Sequence, residues 1–206
     1  MVPRPADWRP GLDVVGYWWP ARPTRWQPPD ELVAFLDNSP PPVFVGFGSL
    51  VNTKAAAEHL STIVRHALRA AGARGVIQAG WTGLTVSGDD LLTTGDVPHD
   101  WLFDRVAAAV HHCGAGTAAG ALRAGVPTVG VPAIGDQPFW AKRLRDLGVS
   151  PATIPQRQIT AERLAAAIQA ALTDNTIREN TKHIAAHIAA EDGAGRVLTV
   201  VEETLS

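Results

Sequence analysis

His111-His112-Cys113-Gly114-Ala115-Gly116-Thr117 ends an apolar run that begins at Val106 and opens a stretch of helical character from Ala115 to Ala124. A buried strand that turns through glycines straight into a helix brings free backbone N–H groups and the positive end of the helix dipole to one point. Such a point suits an anion, and a turn of this size suits a diphosphate. The Thr117 hydroxyl stands beside the turn. His112, just before it, can hydrogen-bond a phosphate oxygen when neutral or offset its charge when protonated. Paired histidines at a strand end are more often ordinary buried side chains, so His111 and His112 alone do not decide the matter. Cys113 reads as a small buried residue rather than a nucleophile, because no thiolate-stabilising partner is identifiable.

Regular patterning extends outward on both sides. Upstream, Val43-Phe44-Val45-Gly46-Phe47 is a short apolar run, and Lys54 to Ala71 carries Leu60, Ile63, Val64, Ala67 and Leu68 at helical spacing. Gly75 to Ala79 and Leu91 to Thr94 read as strands, and Pro98 opens a short helix containing Trp101 and Leu102. Downstream, Gly125 and Pro127 stop the helix that began at the opening motif, and Thr128 to Val131 is the next strand. Helices follow over Asp136 to Leu147, from Thr160 with Leu164, Ile168 and Leu172 on one face, and over Asn175 to Leu205 in two pieces broken near Gly193 and Gly195. Strands that alternate with helices predict an α/β fold, a Rossmann-like parallel sheet flanked by helices.

Residues 1–42 differ from the rest. They hold 10 of the 16 prolines and four of the seven tryptophans (Trp8, Trp18, Trp19 and Trp26), a composition that argues against an ordinary helix or a central strand. The expectation is an extended interdomain linker over 1–42, leading into the Rossmann-like domain over 43–206. Its rings either pack on the domain's own core or lie against a neighbour, in which case the isolated chain self-associates. With 46% hydrophobic and 18% charged residues, the 206-residue chain can bury a sizeable core. A net charge of -2 gives no general attraction for nucleic acid or an anionic membrane, so an anion must be held by local geometry. One cysteine excludes an internal disulfide, and there is neither a signal-like segment nor an apolar run long enough to span a bilayer. A cytoplasmic protein without an integral membrane segment is expected.

Two more loops fall at the carboxyl ends of expected strands, where open α/β sheets bind ligands. In Gly46-Phe47-Gly48-Ser49 the small residues let backbone approach an anion, and the Ser49 hydroxyl can donate to a phosphate; a tight turn alone also explains the glycines. In Gly135-Asp136-Gln137-Pro138 an adjacent carboxylate and amide can bind neighbouring sugar hydroxyls, while Asp136 is equally suited to cap a helix with Pro138 in its first turn. A rival assignment exists. Gly114-x-Gly116-x-x-Ala119, with Asp136 downstream, matches a dinucleotide fingerprint. That fingerprint belongs after the first strand of its domain, whereas at least two strand-helix units precede it here.

Taken in order, Gly46-Phe47-Gly48-Ser49, Gly95-Asp96-Val97-Pro98-His99-Asp100-Trp101-Leu102-Phe103, the opening heptad, Arg123-Ala124-Gly125-Val126-Pro127 and Gly135-Asp136-Gln137-Pro138-Phe139-Trp140 resemble the carboxyl-terminal half of a GT-B UDP-glycosyltransferase. The sterol glucosyltransferase and antibiotic-sugar transferase branches are the nearest. The resemblance implies that Ser49, His112, Gly114, Ala115, Gly116 and Thr117 hold the donor diphosphate. It places Gly48, the Val97 backbone and His99 near the nucleoside, and Asp136 and Gln137 on the sugar. It implies no cofactor and no metal, the donor being a UDP- or dTDP-sugar, and no catalytic residue within this chain. The general base would belong to an amino-terminal acceptor-binding domain that nothing here matches. Plant-type members carry Trp at the position of Asp96, Gln at that of His99 and a ribose-binding Glu at that of Gly120; many bacterial relatives carry Gly at that of Cys113. The alternatives are a non-catalytic nucleotide-binding or regulatory module and an NAD-binding domain.

Overall fold

Five short strands, β1 (Val43–Gly46), β2 (Gly75–Gln78), β3 (Leu91–Thr94), β4 (Ala108–His111) and β5 (Thr128–Gly130), form one sheet in the order β3-β2-β1-β4-β5. The computed structural model describes residues 2–21, 24–48, 53–80 and 83–205. Every pairing is parallel. Because helices cover both faces, β1 is buried at all four positions and shows no apolar-polar alternation. Its register sets Gly46 opposite Gln78 on one side and His111 on the other, so three strands end at one level.

Eight helices appear among the described residues: α1 (Asp30–Leu36), α2 (Lys54–Ala70), α3 (His99–Leu102), α4 (Ala115–Arg123), α5 (Gln137–Asp146), α6 (Ala161–Thr173), α7 (Asn175–Ala189) and α8 (Gly193–Leu205). On one face Val43, Val45, Ile77, Ala108 and Val110 meet Leu60, Val64 and Leu68 of α2 and Leu164 and Ile168 of α6. Burying each such aliphatic side chain is worth about 1.5–3 kcal/mol, which fixes these two helices to the sheet. On the other face Phe44, Val76 and Ala109 meet Leu32 of α1, Trp101, Leu102 and Phe103. A third cluster joins α4, α5 and α7 through Leu122, Leu144 and Ile188.

The chain runs outward from β1 through β2 to β3, then crosses back to β4 and on to β5. The order therefore reverses between β1 and β4, and the loops after these two strands flank a crevice. Sequence and structure agree closely on element type and differ in places. The lead-in contains a helix, α1, against the expectation from its prolines; none falls between Pro29 and Pro40, and the helix in that gap buries Leu32. The break expected near Gly193 and Gly195 is present, since α7 ends at Ala189 and α8 begins at Gly193, where a Cβ would lie 2.6 Å from the Tyr17 carbonyl oxygen. The lead-in thus crosses directly over the start of α8.

Two of the four lead-in rings pack on the domain itself. Trp26 meets Trp101 edge-on at 5.3 Å, and Trp19 lies under the Arg123 guanidinium at 4.4 Å. Trp8 and Trp18 remain 40% and 64% exposed. No described helix is long and apolar enough to cross a membrane.

Candidate functional site

At the end of β4 the His111 Nδ1 accepts a hydrogen bond from the Cys113 N–H at 3.1 Å. That bond holds Cys113 at φ 63°, the only non-glycine residue with positive φ among those described. Left-handed backbone is costly for such a residue, and the strain is stored where the chain turns into α4. The Cys113 side chain is fully buried, and burial pushes its thiol up to about 12, so it is inert packing as expected.

Gly114 then occupies the N-cap position of α4, where it has no side chain to offer. Ala118 N–H bonds the Gly114 carbonyl at 2.9 Å, whereas the N–H groups of Ala115, Gly116 and Thr117 meet no acceptor among the described residues. A Cβ on Gly116 would have open space around it. The first turn of α4 is therefore an unsealed cluster of donors at the positive end of a helix.

His112 is wedged beside this turn. A Cβ on Gly114 would come within 2.6 Å of its Nε2, and one on Gly48, itself at φ +62°, within 2.8 Å of its Cε1. Both glycines are required for the imidazole to stand between the loop after β1 and the loop after β4. Gly80 closes against the same loop, since a Cβ there would be 3.0 Å from the Gly48 carbonyl oxygen. Ser49 lies outside the described residues.

Three histidines share this region, and burial lowers the pKa of each. His111 is driven down to about 3 by complete burial, with His112 and His99 adding to the effect. His112 is held below 6.5 by burial, while the Gly46 backbone and the Asp136 carboxylate pull it back up. Its Nδ1 is nonetheless buried without a well-formed hydrogen bond, the nearness of Gly46 notwithstanding. His99 is lowered by burial and by His112, against Asp100 and Asp96. At neutral pH the cluster presents neutral imidazoles, and its attraction for an anion comes from N–H dipoles. Because His111 Nδ1 is an acceptor, its proton is assigned to Nε2, a buried donor with no partner among the described residues.

The other expected site residues flank this core. Val97 is buried in the cluster beneath β3. His99 stacks on Phe103 at 4.6 Å and meets Phe44 edge-on at 5.7 Å, so one ring face is already taken. A Cβ on Gly120 would sit 3.4 Å from both His99 Cβ and Phe103 Cε2, which explains a small residue at that point. Asp136 stands at the N-cap of α5 yet caps nothing with its side chain; its Oδ2 instead accepts from Trp140 Nε1 at 2.7 Å. Gln137 is buried, and its Oε1 accepts from the N–H groups of Ala133 and Ile134 at 2.8 and 3.1 Å. Half of its amide is thus spent fastening the loop.

His112, Gly48, Gly114, Ala115, Gly116 and Thr117 therefore come together in one crevice, with Asp136 close enough to act electrostatically on His112. The part played by Trp140 was missed in sequence, although its spacing of four residues from Asp136 on a helix was the available signal. A separate groove of about 720 Å³, lined by Ile134, Lys142, Arg145 and Arg157 among others, contains none of the expected site residues. Among the described residues no group of three or more His, Cys, Asp or Glu side chains is placed to hold a metal.

Comparison with known proteins follows this geometry. Residues 82–204 match the family described as erythromycin biosynthesis protein CIII-like, C-terminal domain. The chain is 40% identical over 201 residues to the sterol 3-beta-glucosyltransferase UGT80A2 of Arabidopsis thaliana, covering 96% of this chain and 31% of that protein. It is 36% identical over 203 residues to the O-mycaminosyltylonolide 6-deoxyallosyltransferase of Streptomyces fradiae, covering 98% and 47%. Among solved structures, the glycotransferase of kitacinnamycin superposes with a TM-score of 0.72 at 23% identity, over 92% of this chain and 48% of that one. Glycosyltransferase VinC, in complex with dTDP, gives 0.67 at 22%, over 85% and 44%. The fold is that of these glycosyltransferases, and the chain spans less than half of the length of these curated relatives.

Proposed function

Because the chain belongs to the family of erythromycin biosynthesis protein CIII-like C-terminal domains, we propose that it is the donor-binding half of an inverting glycosyltransferase. The reaction moves a hexose from a UDP- or dTDP-sugar to a small lipophilic acceptor such as a sterol or a polyketide. One observation carries the proposal: an uncapped helix N-terminus opens at the sheet's switch point, with His112 lodged beside it between two glycines. The activities of the sterol and tylonolide-type relatives, and the dTDP bound to VinC, support the donor and acceptor classes.

The chain's contribution is to the leaving group. As the glycosidic bond breaks, negative charge grows on the diphosphate, and the fixed N–H groups of Ala115, Gly116 and Thr117 stabilise it without reorganising. His112 supplies a further hydrogen bond and takes up charge if it gains a proton. Loss of one such donor costs on the order of a hundredfold in rate. Asp136, with the Gln137 amide nitrogen, holds the sugar. The base that deprotonates the acceptor belongs to an acceptor-binding half, and the exposed rings of Trp8 and Trp18 are the surface offered to it or, in the isolated chain, to a second copy.

Supplying an acceptor-binding half from a relative, fused or separate, and assaying transfer from UDP-glucose tests the proposal. Transfer that needs both halves is expected. Tight donor binding with no transfer in any pairing would favour a nucleotide-binding module that catalyses nothing.

A further inference from the structure

Asp136 is an exposed carboxylate at the head of α5, and nothing in its own backbone surroundings fixes it: no helix N–H is bonded by its side chain. Its direction is set by one side chain, the indole of Trp140, whose Nε1 donates to Oδ2 at 2.7 Å. A hydrogen bond to a charged carboxylate is among the stronger kinds. It engages Oδ2 and leaves Oδ1 to accept from a ligand.

The indole is itself gripped. It meets Phe139 edge-on at 5.0 Å, and it packs against the cluster that contains Leu144 and Ile188, as do Trp19 and Ile184. On its outer side it shares a cavity of about 300 Å³ with Val14, Val15 and Tyr17 of the lead-in and Glu191 before α8. The lead-in is fixed there in turn, since Gly16 and Tyr17 lie against Gly193 and the Tyr17 N–H donates to Glu191 Oε2 at 3.4 Å. A ring with its N–H aimed at Asp136 is thus seated on the domain core and faces the lead-in across that cavity.

We infer that Trp140 is a positioning residue for donor recognition: its indole N–H orients the Asp136 carboxylate toward the sugar, and the domain core seats the indole. The inference rests on Asp136 binding the sugar of the donor, as proposed above. Trp140 contacts the carboxylate and not the sugar, so its loss acts on the sugar's share of the affinity and leaves the diphosphate's share alone.

Calorimetric titration of the full chain with UDP and with UDP-glucose separates these shares as the ratio of the two affinities. Trp140→Phe keeps an aromatic ring and removes the donor; it is expected to lower UDP-glucose affinity on the order of ten- to a hundredfold relative to UDP, the worth of one hydrogen bond to a charged group. Trp140→Gln restores a donor at the same four-residue spacing and is expected to recover part of that loss despite the missing ring. If Trp140→Phe fails to fold, the Trp140→Gln ratio decides: a value near that of Asp136→Ala overturns the inference. A Trp140→Phe ratio equal to that of the unaltered protein, while Asp136→Ala collapses the ratio, also overturns it and leaves Asp136 as the sugar ligand. An unchanged ratio in Asp136→Ala removes the sugar-binding assignment and this inference with it.

Discussion

The helices α7 and α4 begin in opposite ways. At α7 the Asp174 carboxylate accepts from Thr176 N–H at 2.8 Å and Ile177 N–H at 3.3 Å; α2 and α6 are sealed likewise by Thr53 on Ala56 N–H and Thr160 on Arg163 N–H. At α4 the capping position is Gly114, and three N–H groups stay open. A capping side chain is typically worth about 1 kcal/mol. We propose that its omission at α4, which follows β4 at the crevice beside β1, serves a ligand that would satisfy the donors left open by the fold. α1, α3 and α5 also begin without a side-chain cap, so what sets α4 apart is the His112 ring lodged beside its open N–H groups.

Sealing α4 breaks the contrast most severely. Gly114→Asp would place a carboxylate among the open N–H groups and push the His112 ring aside, the Cβ falling 2.6 Å from Nε2. UDP affinity measured by calorimetry should fall on the order of a hundredfold or more, with the circular dichroism spectrum unchanged. Retained affinity would mean that the anion sits elsewhere.

His112→Ala should weaken UDP-glucose on the order of tenfold with little change in unfolding free energy. The pH dependence sharpens this. The free imidazole titrates below 6.5 and a bound diphosphate raises it, so affinity should increase as pH falls through the bound-state value, and this increase should vanish in His112→Ala. A variant that unfolds while each folded molecule binds normally would make His112 a core residue.

His111 gives the opposite signature, one of stability. Its folded pKa of about 3 lies below the ordinary 6.5, so the unfolded chain binds the extra proton between these values. Stability should be full above about pH 6.5 and drop as pH falls toward 3, by up to ~1.4 kcal/mol per pH unit from this group. His111→Asn, which can still accept from Cys113 N–H but does not titrate there, should show a shallower acid slope in urea unfolding; equal slopes would contradict a buried neutral His111. The smallest effect belongs to the sealed helix. Asp174→Ala should cost about 1 kcal/mol of stability and leave UDP affinity untouched, and a joint loss would erase the distinction between the two helix starts.

The strands and the helix order were legible because apolar runs, glycine stops and proline starts recur at the right spacing, from Val43 to Thr173. The glycine turn into α4 was legible for the same reason. What one sequence could not show was made by contacts distant in the chain: the Gly48 loop meeting His112, the lead-in crossing Gly193, and Phe103 taking one face of His99. Local competition hid the rest. Asp136 looks like a cap in sequence, yet its carboxylate turns to Trp140, and Gln137 spends its oxygen on its own loop. Proline content hid α1, because composition averaged over 42 residues conceals the gap between Pro29 and Pro40 that holds this helix of seven residues.

Calorimetric titration of the chain with UDP, dTDP and NAD tests the central claim most directly. The open start of α4 predicts binding of UDP or dTDP that Gly114→Asp abolishes, and no binding of NAD. Binding of NAD with neither nucleoside diphosphate would contradict it.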